Sequence, residues 1–145
     1  MNPTRYREML RAKIHRITVT QADLEYEGSL TLDRDLMDAA DIAPFEKVEV
    51  YNVTRGSRFA TYAIEGGRGT GVCCVNGAAA HLASVGNRLI VCCYAAVPEA
   101  DARTHEPFIV LVDAENRAHT VKRGELEGVR FRDAPNSLVV RPLKQ

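Results

Sequence analysis

A glycine–serine bond is the first place where this sequence could do chemistry on itself. Gly28 and Ser29 lie within the segment DLEYEGSLT, residues 23–31. Glycine has no Cβ, so it tolerates strained backbone angles and leaves its carbonyl carbon open to attack. A serine hydroxyl is a potential nucleophile. The pair could cleave its own peptide bond, but glycine and serine also dominate ordinary turns, so the pair alone does not decide between the two.

The four cysteines form two adjacent pairs, Cys73-Cys74 and Cys92-Cys93. Neighbouring residues on a strand point to opposite faces, and neither pair has the C-x-x-C spacing of a metal knuckle. Free cysteine is among the residue types that are most often buried. We therefore expect these cysteines to pack as small apolar side chains, and we expect no metal site.

The composition indicates one globular domain with a core. The chain has 145 residues, of which 46% are hydrophobic and 26% charged, and its net charge is zero. It has no basic surplus of the kind that nucleic-acid binding usually needs. No segment is long and apolar enough for a membrane span or a signal peptide. We therefore expect a cytoplasmic protein that binds neither nucleic acid nor membrane.

Short runs of β-branched and alternating residues predict an all-β chain. The predicted strands are 11–20, 29–32, 46–53, 58–64, 71–75 and 88–97, with a hairpin of 108–113 and 117–121. The polar residues 21–28 are typical of a loop. Many short strands must deal with open sheet edges, which favours a closed β-barrel of about six strands.

Three short helical pieces interrupt the strands. Asp33 is a good N-cap, and the apolar residues after it fall at helical spacing. That helix should end near Asp41, because Pro44 follows. A turn at Asn76 leads into an alanine-rich piece, and residues 98–103 resemble a helical turn.

The sequence divides into two parts near residue 121. Residues 1–121 contain the predicted strands of the barrel. From Lys122 onward the sequence is rich in charge, so we expect 122–145 to be a partly mobile C-terminal extension. Leu138–Val140 could form one last edge strand.

Four stretches of this sequence share an order and spacing with a known family. They are Met9-Leu10 with Lys13-Ile14-His15-Arg16; Asp23-Leu24 with Tyr26-Glu27-Gly28-Ser29; Asn52-Val53-Thr54 with Gly56, Arg58-Phe59 and Thr61-Tyr62-Ala63-Ile64; and Val75-Asn76-Gly77-Ala78-Ala79-Ala80-His81 with Ala83-Ser84-Val85-Gly86. Together they resemble the pyruvoyl-dependent aspartate 1-decarboxylases from about Met9 to Arg103. The resemblance implies a double-psi β-barrel and a homotetramer.

The resemblance also implies a zymogen that cuts itself between Gly28 and Ser29. Ser29 Oγ would attack the Gly28 carbonyl to give an ester, and elimination and hydrolysis would leave a pyruvoyl group at the new N-terminus. This cofactor would form a Schiff base with L-aspartate and accept the electrons left on Cα when CO2 leaves. The product would be β-alanine, for pantothenate and coenzyme A biosynthesis. Maturation could require a helper protein.

Further residues take roles from the same resemblance. Tyr62 would protonate the product carbanion as a positioned weak acid. Arg58, with Lys13 as a second cation, would hold the carboxylate that stays on the product. Thr61 would donate a hydrogen bond to the oxyanion during cleavage and contact the substrate. Substrate contacts would also come from the backbone of Gly77, Ala78 and Ala79, with support from Asn76 and Tyr26.

The alternation of a strand raises a question about this site. Arg58 and Tyr62 share one face of the predicted strand, whereas Thr61 points to the other. Either the strand bends in its middle, or the site lies between subunits and uses both faces. The implied tetramer favours the second, a site between subunits.

His15 and His81 are expected to be structural, hydrogen-bonded residues rather than catalytic ones.

Two other functions are compatible with the residues. A small non-enzymatic β-barrel could serve as an interaction or DNA-binding module, which the zero net charge does not favour. A pseudo-enzyme could keep the barrel and never cut itself. Both alternatives predict an uncleaved chain.

Overall fold

The computed structural model describes residues 3–124, which are mostly β-strand with two short α-helices and one 3-10 helix. This confirms the prediction of a mostly β protein. No helix in this part of the chain has the length and apolar character needed to cross a membrane. The elements are β1 (Tyr6–Thr18), β2 (Gln21–Asp23), β3 (Ser29–Asp33), α1 (Arg34–Ala40), β4 (Lys47–Asn52), β5 (Arg58–Gly66), β6 (Cys73–Asn76), the 3-10 helix (Gly77–His81), β7 (Arg88–Pro98), α2 (Glu99–Ala102), β8 (Phe108–Val112) and β9 (Ala118–Arg123).

The nine strands of the described chain form one mixed sheet in the order β2-β6-β3-β5-β4-β7-β1-β8-β9. The pairs β1 with β8, β2 with β6 and β3 with β5 are parallel, and the others are antiparallel. The sheet therefore contains more strands than the predicted six. The predicted hairpin is confirmed by the antiparallel pair of β8 and β9.

Two local predictions were wrong at the start of the chain. β1 begins at Tyr6 rather than at residue 11, because pairing with β7 continues from Thr18 back to Tyr6. The predicted loop 21–28 contains the strand β2, which pairs with β6. This strand is three residues long and polar, so its backbone pairing, rather than a hydrophobic pattern, makes it a strand.

The helix α1 follows the prediction closely. The Asp33 side chain accepts a hydrogen bond from the Asp35 N–H at 2.8 Å, which is the expected N-cap. Asp41 ends the helix in the left-handed conformation, with φ of 59°. The helix buries Leu36, Met37 and Ala40.

The core lies on one face of the four adjacent strands β1, β7, β4 and β5. Ile14, Val91 and Val50 lie opposite one another across the first three of these strands and are fully buried. The alternate residues point to the other side, which we call the outer face. Its members are Lys13 and His15 on β1, Ile90, Cys92 and Tyr94 on β7, Lys47, Glu49 and Tyr51 on β4, and Arg58, Ala60 and Tyr62 on β5.

All four cysteines are buried and free, as predicted. Burial raises the pKa of the Cys93 thiol to about 12, so it stays protonated at neutral pH.

β9 continues to Arg123, two residues past the expected domain boundary at 121. The rest of the predicted extension, with the possible strand at Leu138–Val140, lies outside the described residues.

Candidate active site

The bond between Gly28 and Ser29 lies where the loop after β2 enters β3. Gly28 is exposed, whereas Ser29 is fully buried and pairs with Asn76 across the β3–β6 ladder. A buried hydroxyl thus directly follows an exposed glycine.

The buried side chain of Asn76 holds the Ser29 hydroxyl. Its Nδ2 donates to Ser29 Oγ at 2.9 Å and to Thr31 Oγ1 at 3.0 Å. Its Oδ1 accepts from Cys74 Sγ at 3.1 Å, so the orientation of the amide is fixed at both ends. Ser29 Oγ can donate to the Glu27 carbonyl oxygen, 3.4 Å away. The expected orienting role of Asn76 therefore has a specific target, the hydroxyl of Ser29.

Gly77 packs directly against the cleavage loop. It has φ of +66°, and a Cβ added to it would lie 2.7 Å from Gly28 N and Cα. The same Cβ would lie 2.8 Å from the carbonyl oxygen of Tyr26. Only glycine satisfies both the backbone angle and the close approach. Tyr26 thus contributes backbone to this contact, while its side chain is exposed.

An open cavity of about 240 Å³ adjoins Gly28. Its walls include Thr61, Ala78 and Ala79, three of the residues that the sequence assigned to the site. The remaining lining residues are Phe59, Ala60 and Leu82. The small side chains leave the Gly28 backbone accessible from this cavity. We call Gly28, Ser29, Thr61, Asn76, Gly77, Ala78 and Ala79 the cleavage cluster.

The predicted substrate cations lie on the outer face. Arg58 is exposed, and its Cζ lies 4.6 Å from the centroid of the Tyr51 ring, as in a cation–π contact. Lys13 is half-buried opposite Cys92. Burial lowers the pKa of Lys13, and Cys92 acts in the opposite direction. These two cations thus share one face of the sheet.

Tyr62 also belongs to the outer face, opposite Lys47. It is half-buried, and its ring centroid lies 6.4 Å from that of Phe45. The β4–β5 ladder runs from Tyr62 to Arg58 without a register shift, so the strand does not change faces in its middle. Thr61, one residue away, faces the cavity at Gly28 instead. The side chain of Thr61 therefore points to the face of β5 opposite that of Arg58 and Tyr62, and the cavity at Gly28 also reaches Ala60 of the outer face.

The two histidines differ in their surroundings. His15 is buried, and burial, followed by the charges of Lys13 and Arg16, lowers its pKa to about 3. It is therefore neutral at physiological pH. His81 is exposed at the end of the 3-10 helix, and its backbone carbonyl accepts from Arg55 at 3.4 Å. Neither lines the cavity at Gly28.

The sequence reasoning missed several residues around the cleavage cluster and on the outer face. Thr31 shares the Asn76 amide, and its position two residues after Ser29 on the same strand could have indicated this. Tyr51 lies opposite Arg58 across the β4–β5 hairpin, which the short connection between the predicted strands 46–53 and 58–64 would have suggested. Leu82 and Phe59 carry no sequence signal of their own, because only the fold brings them to the cavity.

Comparison with known proteins assigns the chain to a family. The aspartate decarboxylase family matches residues 5–119. A protein named aspartate 1-decarboxylase from Cupriavidus taiwanensis is 52% identical over 117 residues, covering 81% of this chain and 98% of its own length. One from Bordetella parapertussis is 53% identical over 117 residues, covering 81% and 96%. One from Myxococcus xanthus is 51% identical over 128 residues, covering 88% and 98%. The chain belongs to the aspartate decarboxylase family.

Proposed function

We propose that this chain is an enzyme that decarboxylates L-aspartate to β-alanine and CO2 for pantothenate biosynthesis, after cutting itself between Gly28 and Ser29. The activity follows from membership of the aspartate decarboxylase family. The observation that carries the cleavage is the buried Ser29 hydroxyl, held at 2.9 Å by Asn76 next to the exposed Gly28.

Cleavage begins with attack of Ser29 Oγ on the Gly28 carbonyl carbon. Asn76 donates to Oγ and fixes its position, while the carbonyl of Glu27 lies near enough to accept the hydroxyl hydrogen. Thr61 faces the cavity at Gly28 and can donate to the oxyanion that develops there. Attack converts the peptide bond to an ester between the Gly28 carbonyl and Ser29 Oγ and frees the Ser29 amine. Loss of the Ser29 Cα proton then breaks the Cβ–Oγ bond, so that the Gly28 carboxylate leaves as the end of fragment 1–28 and dehydroalanine remains at residue 29. Addition of water to its imine form releases ammonia and gives the pyruvoyl group.

The surroundings of Ser29 fit a pyruvoyl group formed from it. Asn76 would supply a hydrogen-bond donor, and Gly77, Ala78 and Ala79 would leave space along one side. Such a group supplies the electron sink that decarboxylation needs. The close approach of Gly77 to Gly28 supports this reading, since a larger residue would fill the space.

Substrate binding is assigned to the outer face. Arg58 has guanidinium donors that can hold the carboxylate that stays on the product, and Lys13 adds a second positive charge. Tyr62 is the proposed proton donor to Cα. These residues and the cleavage cluster lie on opposite faces of β5, which supports a site shared between two copies of the chain.

We infer further properties of the fold, the assembly and the maturation of the chain. We infer that the mixed sheet closes as a double-psi β-barrel, a reading supported by the parallel pairs β1 with β8 and β3 with β5. We also infer a homotetramer in the cytoplasm, with maturation that could use a helper protein. Residues 1–121 would form the catalytic domain and 122–145 an extension.

The central test is the mass of the purified chain. The wild-type protein should give fragments 1–28 and 29–145, with the larger lighter by one ammonia than a chain that starts with serine. Ser29→Ala should give one intact chain and no β-alanine, because the nucleophile is gone. Ser84→Ala, which alters an exposed serine outside the site, should cleave like wild type.

Two outcomes would contradict the proposal. A wild-type chain that stays intact after long incubation would favour the uncleaved pseudo-enzyme or the binding module. Production of β-alanine by Ser29→Ala would show that the cofactor does not come from this serine.

A further inference from the structure

A line of contacts on the outer face connects the two proposed substrate cations. The Arg58 guanidinium lies over the Tyr51 ring at 4.6 Å. The hydroxyls of Tyr51 and Tyr94 are hydrogen-bonded at 2.8 Å, and Cys92 lies two residues before Tyr94 on the same face of β7. Cys92 lies directly opposite Lys13 on β1. The line thus crosses β5, β4, β7 and β1.

Arg58 differs from Arg11 and Arg68 in its partners. Arg11 forms an ion pair with a glutamate at 2.6 Å, and Arg68 forms one with an aspartate at 2.7 Å. Within residues 3–124, Arg58 has no carboxylate at ion-pair distance and contacts an aromatic ring instead. A guanidinium that stacks by its face keeps its edge N–H groups for a carboxylate ligand.

Tyr51 is held at both ends. Its backbone belongs to β4, which lies between β5 and β7, and it is paired with Arg58 on one side and Ile90 on the other. Its hydroxyl is fixed by Tyr94. Burial and this same bond raise the pKa of Tyr94, so its hydroxyl stays protonated at neutral pH.

We propose that Tyr51 and Tyr94 are positioning residues whose hydroxyl–hydroxyl bond fixes the ring under Arg58 and so aims the guanidinium at the substrate carboxylate. The inference rests on the proposed function, in which Arg58 holds the carboxylate that stays on the product. Cys92 extends the same frame to Lys13. If the Tyr51 ring were mobile, the exposed Arg58 side chain would adopt more conformations. Binding of the carboxylate would then have to restrict Arg58 to one of them, which would lower the affinity.

Kinetics of the cleaved enzyme test this role. Tyr94→Phe removes the hydroxyl–hydroxyl bond and keeps both rings. It should raise KM for L-aspartate about three- to tenfold, the effect of one net hydrogen bond, with kcat within about twofold. Tyr51→Phe should do the same, and the double variant should be no worse than either single variant, because all three lose the same bond. Tyr6→Phe, an exposed tyrosine on β1, is the matched control and should leave KM unchanged.

Comparing the effect of Tyr94→Phe with and without the Arg58 side chain shows whether Tyr94 acts by positioning Arg58 or by supporting the structure in general. If Tyr94 acts through Arg58, adding Tyr94→Phe to Arg58→Ala should change KM by less than about twofold. An equal increase in both backgrounds would overturn the inference, as would a Tyr94→Phe enzyme with wild-type KM. Loss of kcat or of self-cleavage without a change in KM would also contradict it.

Binding of succinate distinguishes failure of this inference from failure of the proposed reaction. Succinate carries two carboxylates and no amine, and calorimetric titration measures its Kd without catalysis. Tyr94→Phe should weaken succinate about three- to tenfold. If the wild-type chain makes no β-alanine but shows this difference, the inference stands and the reaction is wrong. Equal affinity in the two proteins, or no binding by wild type, would overturn the inference.

Discussion

A single buried amide organises the residues around the cleavage bond. Asn76 uses both of its N–H groups, on Ser29 and Thr31, and its oxygen accepts from Cys74. A buried polar group without partners is costly, so each of these bonds stabilises the one arrangement in which all are made. The Ser29 hydroxyl is therefore fixed before any reaction occurs. This residue-scale network explains how an ordinary glycine–serine pair can become a reactive one.

His15 gives a prediction for pH dependence at the same scale. Its pKa is about 3 in the folded chain, against an ordinary value near 6.5 in the unfolded chain. Below pH 6.5 the unfolded chain therefore binds a proton that the folded chain does not, and stability falls as the pH falls towards 3. Between pH 7 and 5 this contribution should reach up to about 2 kcal/mol, and His15→Gln should remove it.

The measurement is the free energy of unfolding in urea at both pH values. It is made on the Ser29→Ala chain at one protein concentration, so that cleavage and assembly do not differ between samples. His119→Gln, which replaces an exposed histidine, controls for the loss of a histidine as such. The same pH dependence with and without His15 would show that this residue does not titrate as predicted.

At the scale of elements, β5 separates the two groups of the site. Its regular pairing with β4 sends Arg58 and Tyr62 to the outer face, and the cavity at Gly28 is lined by Thr61 from the same strand. The 3-10 helix forms another wall of the same cavity. Its first residue, Gly77, touches the cleavage loop, and the next two line the cavity. One strand and one short helix thus shape the cavity next to the bond.

Replacing Gly77 tests the contact between this helix and the cleavage loop. A Cβ there would lie 2.7 Å from backbone atoms of Gly28, which cannot move aside without displacing the loop. Gly77→Ala should therefore slow or block cleavage and destabilise the fold by more than the left-handed conformation alone, which costs about 1–2 kcal/mol.

Gly86→Ala is the matched control for Gly77→Ala. Gly86 also has a positive φ, +91°, but an added Cβ would meet nothing within 4 Å. Gly86→Ala should therefore lower the free energy of unfolding by the cost of the left-handed conformation, and it should cleave itself like wild type. Intact mass gives the cleaved fraction and urea unfolding gives the free energy. Equal cleavage by the two variants would mean that the Gly77 contact is not needed for the reaction.

At the scale of the whole molecule, one chain supplies two partial sites. In the proposed function, the cleavage cluster carries the bond to be cut, and the outer face carries the cations and the tyrosine that would act on the substrate. Since they occupy opposite faces of β5, assembly of copies would bring the outer face of one chain to the cleavage cluster of another. Assembly would then be a requirement of catalysis.

Mixed oligomers test this shared site. Ser29→Ala should make no β-alanine, and Arg58→Ala, whose KM should be strongly raised, should make little at low L-aspartate. Co-expression of the two should raise β-alanine production at that concentration well above the Arg58→Ala level, because one chain supplies Ser29 and the other supplies Arg58. Asn76 acts on Ser29 of its own chain. Ser29→Ala mixed with Asn76→Ala should therefore be no more active than Asn76→Ala alone. Mixed oligomers of the first pair that form and make no more β-alanine than Arg58→Ala alone would argue against a shared site.

The sequence predicted most of the long elements, for reasons that are local. Alternation and β-branched residues mark β4 and β7, and the Asp33 cap marks α1. The sequence pattern did not predict β2 or the first part of β1. Those segments carry little hydrophobic pattern, and their strand structure depends on backbone pairing with β6 and β7, which are distant in the chain.

The candidate site divides in the same way. The sequence alone determined which residue types could react, and the order and spacing of the four stretches that contain Lys13, Gly28-Ser29, Arg58 to Tyr62 and Asn76 to Ala79 indicated the family. Only the tertiary structure decided that the Asn76 amide holds Ser29 and that Gly77 touches Gly28. It also decided that the Tyr51 ring lies beneath Arg58 with its hydroxyl bonded to Tyr94. The physical reason is that these contacts join strands through sheet register, and register is set by packing of the whole core rather than by any one segment.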